Sequence, residues 1–195
     1  LLRHKGIMGL YLFTLLISSA IYVAYSYIEP FLKQVSLMPD DWVTTALMVF
    51  GGAGLLGSIA FSKYYNRNRK LFITVNVAAM ALCLLLLHPV SSGFLPVIVL
   101  LAVWGATATA YNVAMQSNMI LVTTPESTPV AMSIFSGIFN LGIGSGAFFG
   151  GAICSDLSIS YIGLAGGVLA LIGLVYWVAR LGNRIEPKDT LDKYL

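Results

Sequence analysis

A stripe of polar side chains runs along one face of the first long apolar segment. Its members fall at i, i+4, i+7, i+8 and i+11 of a helix: Ser18, Tyr22, Tyr25, Ser26 and Glu29. Such a stripe is costly against lipid tails, so we expect it to line a water-filled cavity or a protein interface. Tyrosine is also enriched at membrane interfaces, but the depth of Tyr22 in the segment favours a cavity.

Glu29 is the acidic residue nearest to the apolar part of the early segments, and it is our candidate for proton coupling. Partial burial would disfavour its charged form and so promote proton exchange. Alternatively, Glu29 lies hydrated at the level of the lipid headgroups, since Pro30 follows it and residues 29–41 are predicted to form the longest loop. Both interpretations are open at this point.

The fourth apolar segment carries a second polar stripe. Thr109, Asn112 and Gln116 fall at i, i+3 and i+7, with Trp104 and Tyr111 nearby. Amides both donate and accept hydrogen bonds, which suits a hydroxyl-rich or amphipathic solute, and aromatic rings beside amides are common in sugar or drug pockets. The alternative is hydrogen bonding between helices, worth about 0.6 kcal/mol per contact in membrane bundles.

The fifth apolar segment combines polar and glycine positions. Ser136 and Asn140 share one helical face and are further candidates for a cavity. Gly142, Gly146 and Gly150 form two overlapping G-x-x-x-G steps, a spacing that lets helix backbones approach closely. Nucleotide binding by these glycines is excluded, because no strand precedes them and their surroundings are apolar. We therefore predict a helix-packing role for all three.

Six long apolar segments must position these side chains, and their approximate bounds are 6–28, 42–62, 71–87, 93–119, 130–151 and 159–179. Each is about as long as the roughly 20 residues that a helix needs to cross a bilayer. Only 10% of the residues are charged, against about 25% in soluble domains. The apolar runs are continuous, unlike those of a β-barrel. The sequence predicts an all-α membrane protein with a single six-helix transmembrane domain over residues 1–195.

The distribution of the eleven lysines and arginines predicts the orientation in the membrane. The gaps between segments are numbered along the chain. If both ends and the second and fourth gaps are cytoplasmic, every lysine and arginine except Lys33 lies inside, which is a strong positive-inside pattern. The basic cluster at residues 63–70 is then a determinant of topology, and no nucleic-acid partner is expected. The chain is predicted to be multi-pass with both ends cytoplasmic.

Internal symmetry is faint but consistent. Segments one and four carry polar stripes and segments two and five are rich in glycine, which suggests two three-helix repeats of inverted topology.

No H-E-x-x-H or G-x-S-x-G signature is present, so no enzyme activity is expected. Cys83 and Cys154 lie far apart and lack metal-ligand spacing. No metal site or cofactor is predicted.

Three strings in the sequence are more specific than periodicity: AYSYIEPF at 24–31, GGAGLLGS at 51–58 and VAMSIFSGIFNLGIGSG at 130–146. They resemble strings of bacterial sugar efflux transporters of the major facilitator superfamily. The similarity is to the C-terminal six-helix half of that group, which includes arabinose-type exporters and lies within the drug–proton antiporters. It runs along essentially the whole chain. The first residue, Leu1, is not methionine, which suggests a fragment.

The resemblance implies a half-transporter in the bacterial inner membrane. Its implied partners are the lipid bilayer, protons, a sugar-like solute and the N-terminal six-helix half of the same transporter. The first and fourth spans, with Ser136 and Asn140, would line a central cavity. The loop at 57–70 resembles a degenerate gating motif, with Ser62 where aspartate is usual and Tyr65 where glycine is usual. A charge-relay role of that motif is therefore not expected in this half.

The predicted function is half of a proton-coupled exporter of sugars or related small amphipathic solutes, working by alternating access. The alternative is a genuine short protein, a non-transporting membrane assembly module that pairs through its glycine-rich helix faces. A reading frame that continues upstream with six more spans would distinguish the exporter from the module. A passive channel is a third hypothesis, and it predicts flux that is independent of the proton gradient.

Overall fold

The structure, a computed structural model, describes residues 5–182, and these form a bundle of six membrane-length spans. The helices are α1 (Lys5–Tyr25), α2 (Ile28–Gln34), α3 (Asp40–Tyr64), α4 (Arg69–Leu86), α5 (Phe94–Leu121), α6 (Thr128–Asp156) and α7 (Ile162–Tyr176). A 3-10 turn (Ile159–Tyr161) precedes α7, and a π-helical turn (Trp177–Leu181) follows it. No strand occurs within 5–182, which confirms the all-helical prediction.

The first span is broken into α1 and α2 at Ser26 and Tyr27. The second piece continues as a helix to Gln34, so the beginning of the predicted loop at 29–41 is helical instead. The predicted loop is wrong over its first residues, because Pro30 lies in the first turn of α2, where proline is tolerated.

Helices that are neighbours in sequence are not the ones that pack most extensively. The two largest interfaces join α1 to α6 and α3 to α5, and the next three join α1 to α7, α4 to α7 and α4 to α5. If the first three spans are exchanged with the last three, the α4–α7 interface becomes itself and each of the other four becomes another member of the set. This two-fold pattern is the one expected of two inverted three-helix repeats.

Glycines bring the backbones of the two largest interfaces into contact. A Cβ atom built on Gly146 would stand 2.6 Å from the carbonyl oxygen of Ser19, and one built on Gly142 would overlap the hydroxyl of Ser18. In the α3–α5 interface, a Cβ on Gly57 would overlap the carbonyl of Ala106. Gly150 lies against α1 in the same way as Gly146. All three glycines predicted to pack helices thus lie at the α1–α6 contact.

The bundle has one surface that is uniformly apolar. The well-exposed side chains within α4 and α7 are Leu71, Val75, Leu82, Leu86, Leu164, Val168, Leu171, Ile172 and Val175. By contrast, α6 exposes Ser133, Ser136 and Asn140 on one face, and α3 exposes Thr44 and Ser62. Lipid tails are the natural surroundings of the α4–α7 surface, because it offers them no polar group.

Two ends of the bundle differ in charge. The basic end holds the α3–α4 and α5–α6 loops, and its described cations are Lys63, Arg67, Arg69, Lys70 and Arg180. The opposite end, here called the α2 end, holds α2 and the α4–α5 and α6–α7 loops. Among residues 5–182, Lys33 is the only lysine or arginine at that end. The cations Arg3, Arg184, Lys188 and Lys193 lie outside the described residues.

Tyr65 closes the basic end by burying its side chain between α3 and α5. Its hydroxyl donates a hydrogen bond to Asn118 Oδ1 at 2.8 Å, and its ring lies 4.6 Å from that of Phe61. The guanidinium of Arg69 stands 5.6 Å from the centre of the ring. Burial raises the pKa of the Tyr65 phenol. The residue found where the gating motif usually has glycine is thus a structural anchor for the loop.

We expect Tyr65→Phe to lower the free energy of unfolding by about 1–2 kcal/mol, because the amide of Asn118 stays buried after losing its partner. The control is Tyr64→Phe, since the adjacent Tyr64 is half exposed. Thermal unfolding of the purified protein in detergent measures the difference. Equal melting temperatures for the two variants would contradict an anchoring role.

Candidate solute cavity

A depression of about 330 Å³ opens between four helices of the bundle. Its wall includes Tyr22 and Tyr25 of α1, Phe50 and Gly51 of α3, Thr109 and Asn112 of α5, and Phe139 of α6. Helices α4 and α7 contribute nothing to it. The depression is open on one side, so the described residues do not close it into a pocket.

Aromatic rings form one wall of this cavity. Tyr25 and Phe50 stack with centroids 4.8 Å apart, and Tyr22 meets Phe139 edge-on at 6.3 Å. Trp104 packs edge-on against both Tyr25 and Phe50. Its own side chain has no exposed surface, so it supports the wall from behind instead of lining the cavity as predicted. The physical reason is size, since a tryptophan at the close α3–α5 interface fills the space between the helices.

A pair of amides forms the polar part of the site. Gln116 Nε2 donates a hydrogen bond to Asn112 Oδ1 one helical turn away. Asn112 lines the cavity, whereas Gln116 does not. With its oxygen engaged, Asn112 has its amide NH₂ available for a bound solute. Asn112 thus contacts the cavity and Gln116 orients it from within the same helix, so this hydrogen bond is not the bond between helices that the alternative predicted.

The remaining predicted cavity residues lie outside the depression. Ser136 and Asn140 are exposed on the face of α6 next to Phe139, and Ser26 is exposed at the break between α1 and α2. The structure brings Tyr22, Tyr25 and Asn112 together around one space and leaves these three at its margins. Helical periodicity predicts which residues share a face, but the crossing of neighbouring helices decides which part of the face is enclosed.

Glu29 lies at the α2 end and not in the cavity. Its carboxylate is 3.0 Å from Lys33 Nζ, and the same ammonium lies 3.1 Å from Asp40 Oδ1 in the first turn of α3. The Glu29 side chain is 57% exposed. Exposed ion pairs of this kind contribute little to stability, about 0–1 kcal/mol. Their effect here is geometric, because Lys33 connects α2 to α3 across the outside of the cavity.

Phe50 and Phe139 are cavity residues that the sequence did not indicate. Each lies in a long apolar run, where a phenylalanine that faces a cavity is indistinguishable from one that faces lipid. The only available signal was indirect. Gly51 follows Phe50 and Asn140 follows Phe139, so each phenylalanine is next to a residue that is poorly suited to a lipid-facing surface.

Aromatic faces, one amide and three hydroxyl-bearing side chains make a site for a small solute with polar and apolar surfaces, and the residues that line it include no charged side chain. A membrane bundle with such a half-open cavity belongs to the class of polytopic transport proteins. The sequence model of the Major Facilitator Superfamily matches residues 11–193. The chain therefore belongs to this superfamily, whose members are membrane transporters rather than enzymes.

Proposed function

We propose that the chain is one six-helix half of a proton-coupled exporter of sugars or related small amphipathic solutes, working by alternating access. The observation that carries the proposal is the cavity between α1, α3, α5 and α6, with its stacked aromatic wall and its amide. Its volume of about 330 Å³ is at the lower end of the range of roughly 300–1,000 Å³ for small-molecule sites, as suits half of a site.

A sugar would match the chemistry of this cavity. The stacked rings of Tyr25 and Phe50 offer a flat apolar surface to the C–H face of a pyranose. The NH₂ of Asn112 and the hydroxyl of Thr109 supply hydrogen bonds to ring hydroxyls. An uncharged lining avoids the cost of placing an unpaired charge in a low-dielectric space. An amphipathic drug-like solute would use the same surfaces.

The partner that completes the cavity is proposed to be the N-terminal six-helix half of the same transporter. Support comes from glycines that pack against nothing in the described residues. A Cβ on Gly51 of α3, or on Gly137 or Gly144 of α6, would meet no atom within 4 Å. Gly51 lines the cavity, and the exposed Ser136 and Asn140 lie on α6 beside Phe139. A facing helix could approach these positions closely and satisfy their polar groups.

The same faces also support the competing function, a non-transporting assembly module that pairs with another copy of itself or another chain. The two hypotheses differ in whether the completed cavity moves a solute.

We propose the bacterial inner membrane as the location, with the basic end and both termini in the cytoplasm, because the described cations other than Lys33 gather at the basic end.

Proton-linked efflux from liposomes tests the proposal. The intact transporter, reconstituted and loaded with a panel of sugars and drugs, should export one or more of them when a proton gradient is imposed. Collapsing the gradient with an uncoupler should stop this export. Flux that ignores the uncoupler would favour a passive channel, and an intact protein that moves no solute while binding an unrelated ligand would overturn the exporter.

Within this proposal Glu29 is the proton-coupling residue, and its carboxylate forms an ion pair with Lys33. We expect Glu29→Gln to abolish gradient-driven efflux while preserving exchange of solute down its own gradient. Asp41→Asn is the matched control, since Asp41 is an exposed acid in the first turn of α3 that does not contact Lys33 within salt-bridge distance. Coupling that survives in Glu29→Gln would place the proton site elsewhere in the transporter.

A further inference from the structure

A second cleft, of about 400 Å³, lies at the α2 end between α4 and the start of α7. Leu85 and Leu164 form its apolar part. His88, Ser158 and Ser160 supply polar groups, and Pro89 and Tyr161 complete the lining. None of these residues lines the solute cavity, and α4 and α7 do not contribute to that cavity. The cleft is therefore a separate feature of the bundle.

The surroundings of the cleft identify the kind of molecule that reaches it. It interrupts the apolar α4–α7 surface at the α2 end, where the exposed leucines give way to loop residues. Tyr161 and Leu164, which line the cleft, are each about half exposed and continue this lipid-facing surface. A membrane lipid can therefore reach the cleft along this surface, where it would meet an apolar wall for a chain and polar groups for a head.

We propose that this cleft binds one phospholipid of the leaflet at the α2 end, with its phosphodiester among the polar groups and an acyl chain on the two leucines. The hydroxyl of Ser158 accepts a hydrogen bond from the Ser160 backbone N–H at 3.2 Å, which leaves its own hydrogen to be donated outward. Together with the Ser160 hydroxyl and an N–H of His88, it can donate to phosphate oxygens.

The charge of the lining is compatible with this occupant. No aspartate or glutamate lines the cleft, so nothing there repels a phosphate. No lysine or arginine lines it either, which means that recognition depends on hydrogen bonds rather than on net charge. Tyr161 is an amphipathic side chain of the type that is enriched at the level of the lipid headgroups.

Tight helix packing makes the cleft a preformed notch. Just below it, a Cβ on Gly163 would stand 2.6 Å from the Leu84 carbonyl oxygen, and one on Gly167 would stand 2.6 Å from the Leu85 side chain. These glycines hold α7 against α4, so the positions of Leu85 and Leu164 are set before a lipid arrives. Preorganisation of this kind lowers the cost of binding.

Native mass spectrometry of the intact transporter in mild detergent tests the proposal. The probes are dioctanoyl phosphatidylethanolamine and dioctanoylglycerol, which share their acyl chains but differ in the phosphate headgroup. We expect saturable binding of one phospholipid, about tenfold tighter than binding of the diacylglycerol, as the loss of one or two hydrogen bonds implies. Equal affinity for the two probes would overturn recognition of the phosphate.

Two variants and a matched control locate the site. Ser160→Ala removes one donor, and Leu164→Trp fills the apolar part of the cleft; each should weaken phospholipid binding several-fold. Ser155→Ala is the control, because Ser155 is an exposed serine near the end of α6 that does not line the cleft. Unchanged binding in both cleft variants, or an equal loss in the control, would refute the assignment. Lipid binding is read without transport, so this result is independent of the proposed function.

Discussion

Replacing Gly57 by alanine is expected to prevent the α3–α5 interface from forming. The added Cβ would overlap the carbonyl group of Ala106 and stand 3.1 Å from the backbone nitrogen of Ala110. Neither contact can be relieved by rotating a side chain, because the obstacles are backbone atoms of the facing helix. Overpacking typically costs about 1–3 kcal/mol, and a backbone obstacle places Gly57→Ala at the upper end of that range or beyond.

The same substitution at Gly52 provides the control. Gly52 lies in the same helix, but a Cβ there would meet nothing within 4 Å. Alanine is a better helix former than glycine by about 1 kcal/mol, so Gly52→Ala should preserve or raise stability. The yield of folded, monodisperse protein and its melting temperature in detergent compare the two variants. If both variants fold equally well, the close approach of α3 and α5 is not a requirement of the fold.

The largest expected effect on solute recognition comes from Asn112→Leu. Leucine has a similar size but removes the NH₂ that faces the cavity, and it also removes the hydrogen-bond partner of Gln116. A lost hydrogen bond together with an unsatisfied amide costs about 1–3 kcal/mol, which corresponds to a fall in efflux of roughly 10- to 100-fold. Initial rates of efflux from liposomes at matched protein content measure it.

Asn76→Leu is the matched control for this prediction. Asn76 is also an amide within a span, but it lies on α4, away from the cavity, and donates at 2.8 Å to the carbonyl of Phe72 in its own helix. Its replacement should leave the rate of efflux unchanged. Similar rates for Asn112→Leu and the unmodified transporter would remove the cavity from the proposed mechanism, and a similar loss in Asn76→Leu would indicate a general effect of amide removal.

The six spans were predictable because membrane spanning depends on a local property. A run of apolar residues long enough to cross a bilayer must be helical there, whatever its neighbours are. The repeat symmetry was also partly visible, in the matching positions of the polar stripes and the glycine-rich spans. The packing of α1 with α6 and of α3 with α5 follows the same symmetry, with Gly57 and Gly146 at the contacts.

The composition of the cavity was not predictable to the same degree. Trp104 and Tyr25 are both aromatic residues in apolar segments, yet one is buried between helices and the other lines the cavity. Gln116 belongs to the same stripe as Asn112 but serves as its hydrogen-bond partner. The outcome for each residue depends on where a second helix crosses the first, and that crossing is set by small residues elsewhere in both helices.

By itself, the sequence determined the membrane class, the number of spans and the glycine faces, because hydropathy and small-residue spacing act within one helix. The tertiary structure alone decided that the Glu29 side chain lies exposed at the α2 end, in a cluster in which Lys33 also reaches Asp40 of α3. It also decided that Phe50 and Phe139 complete the cavity wall. Both outcomes depend on the meeting of separate helices, and no single segment contains that information.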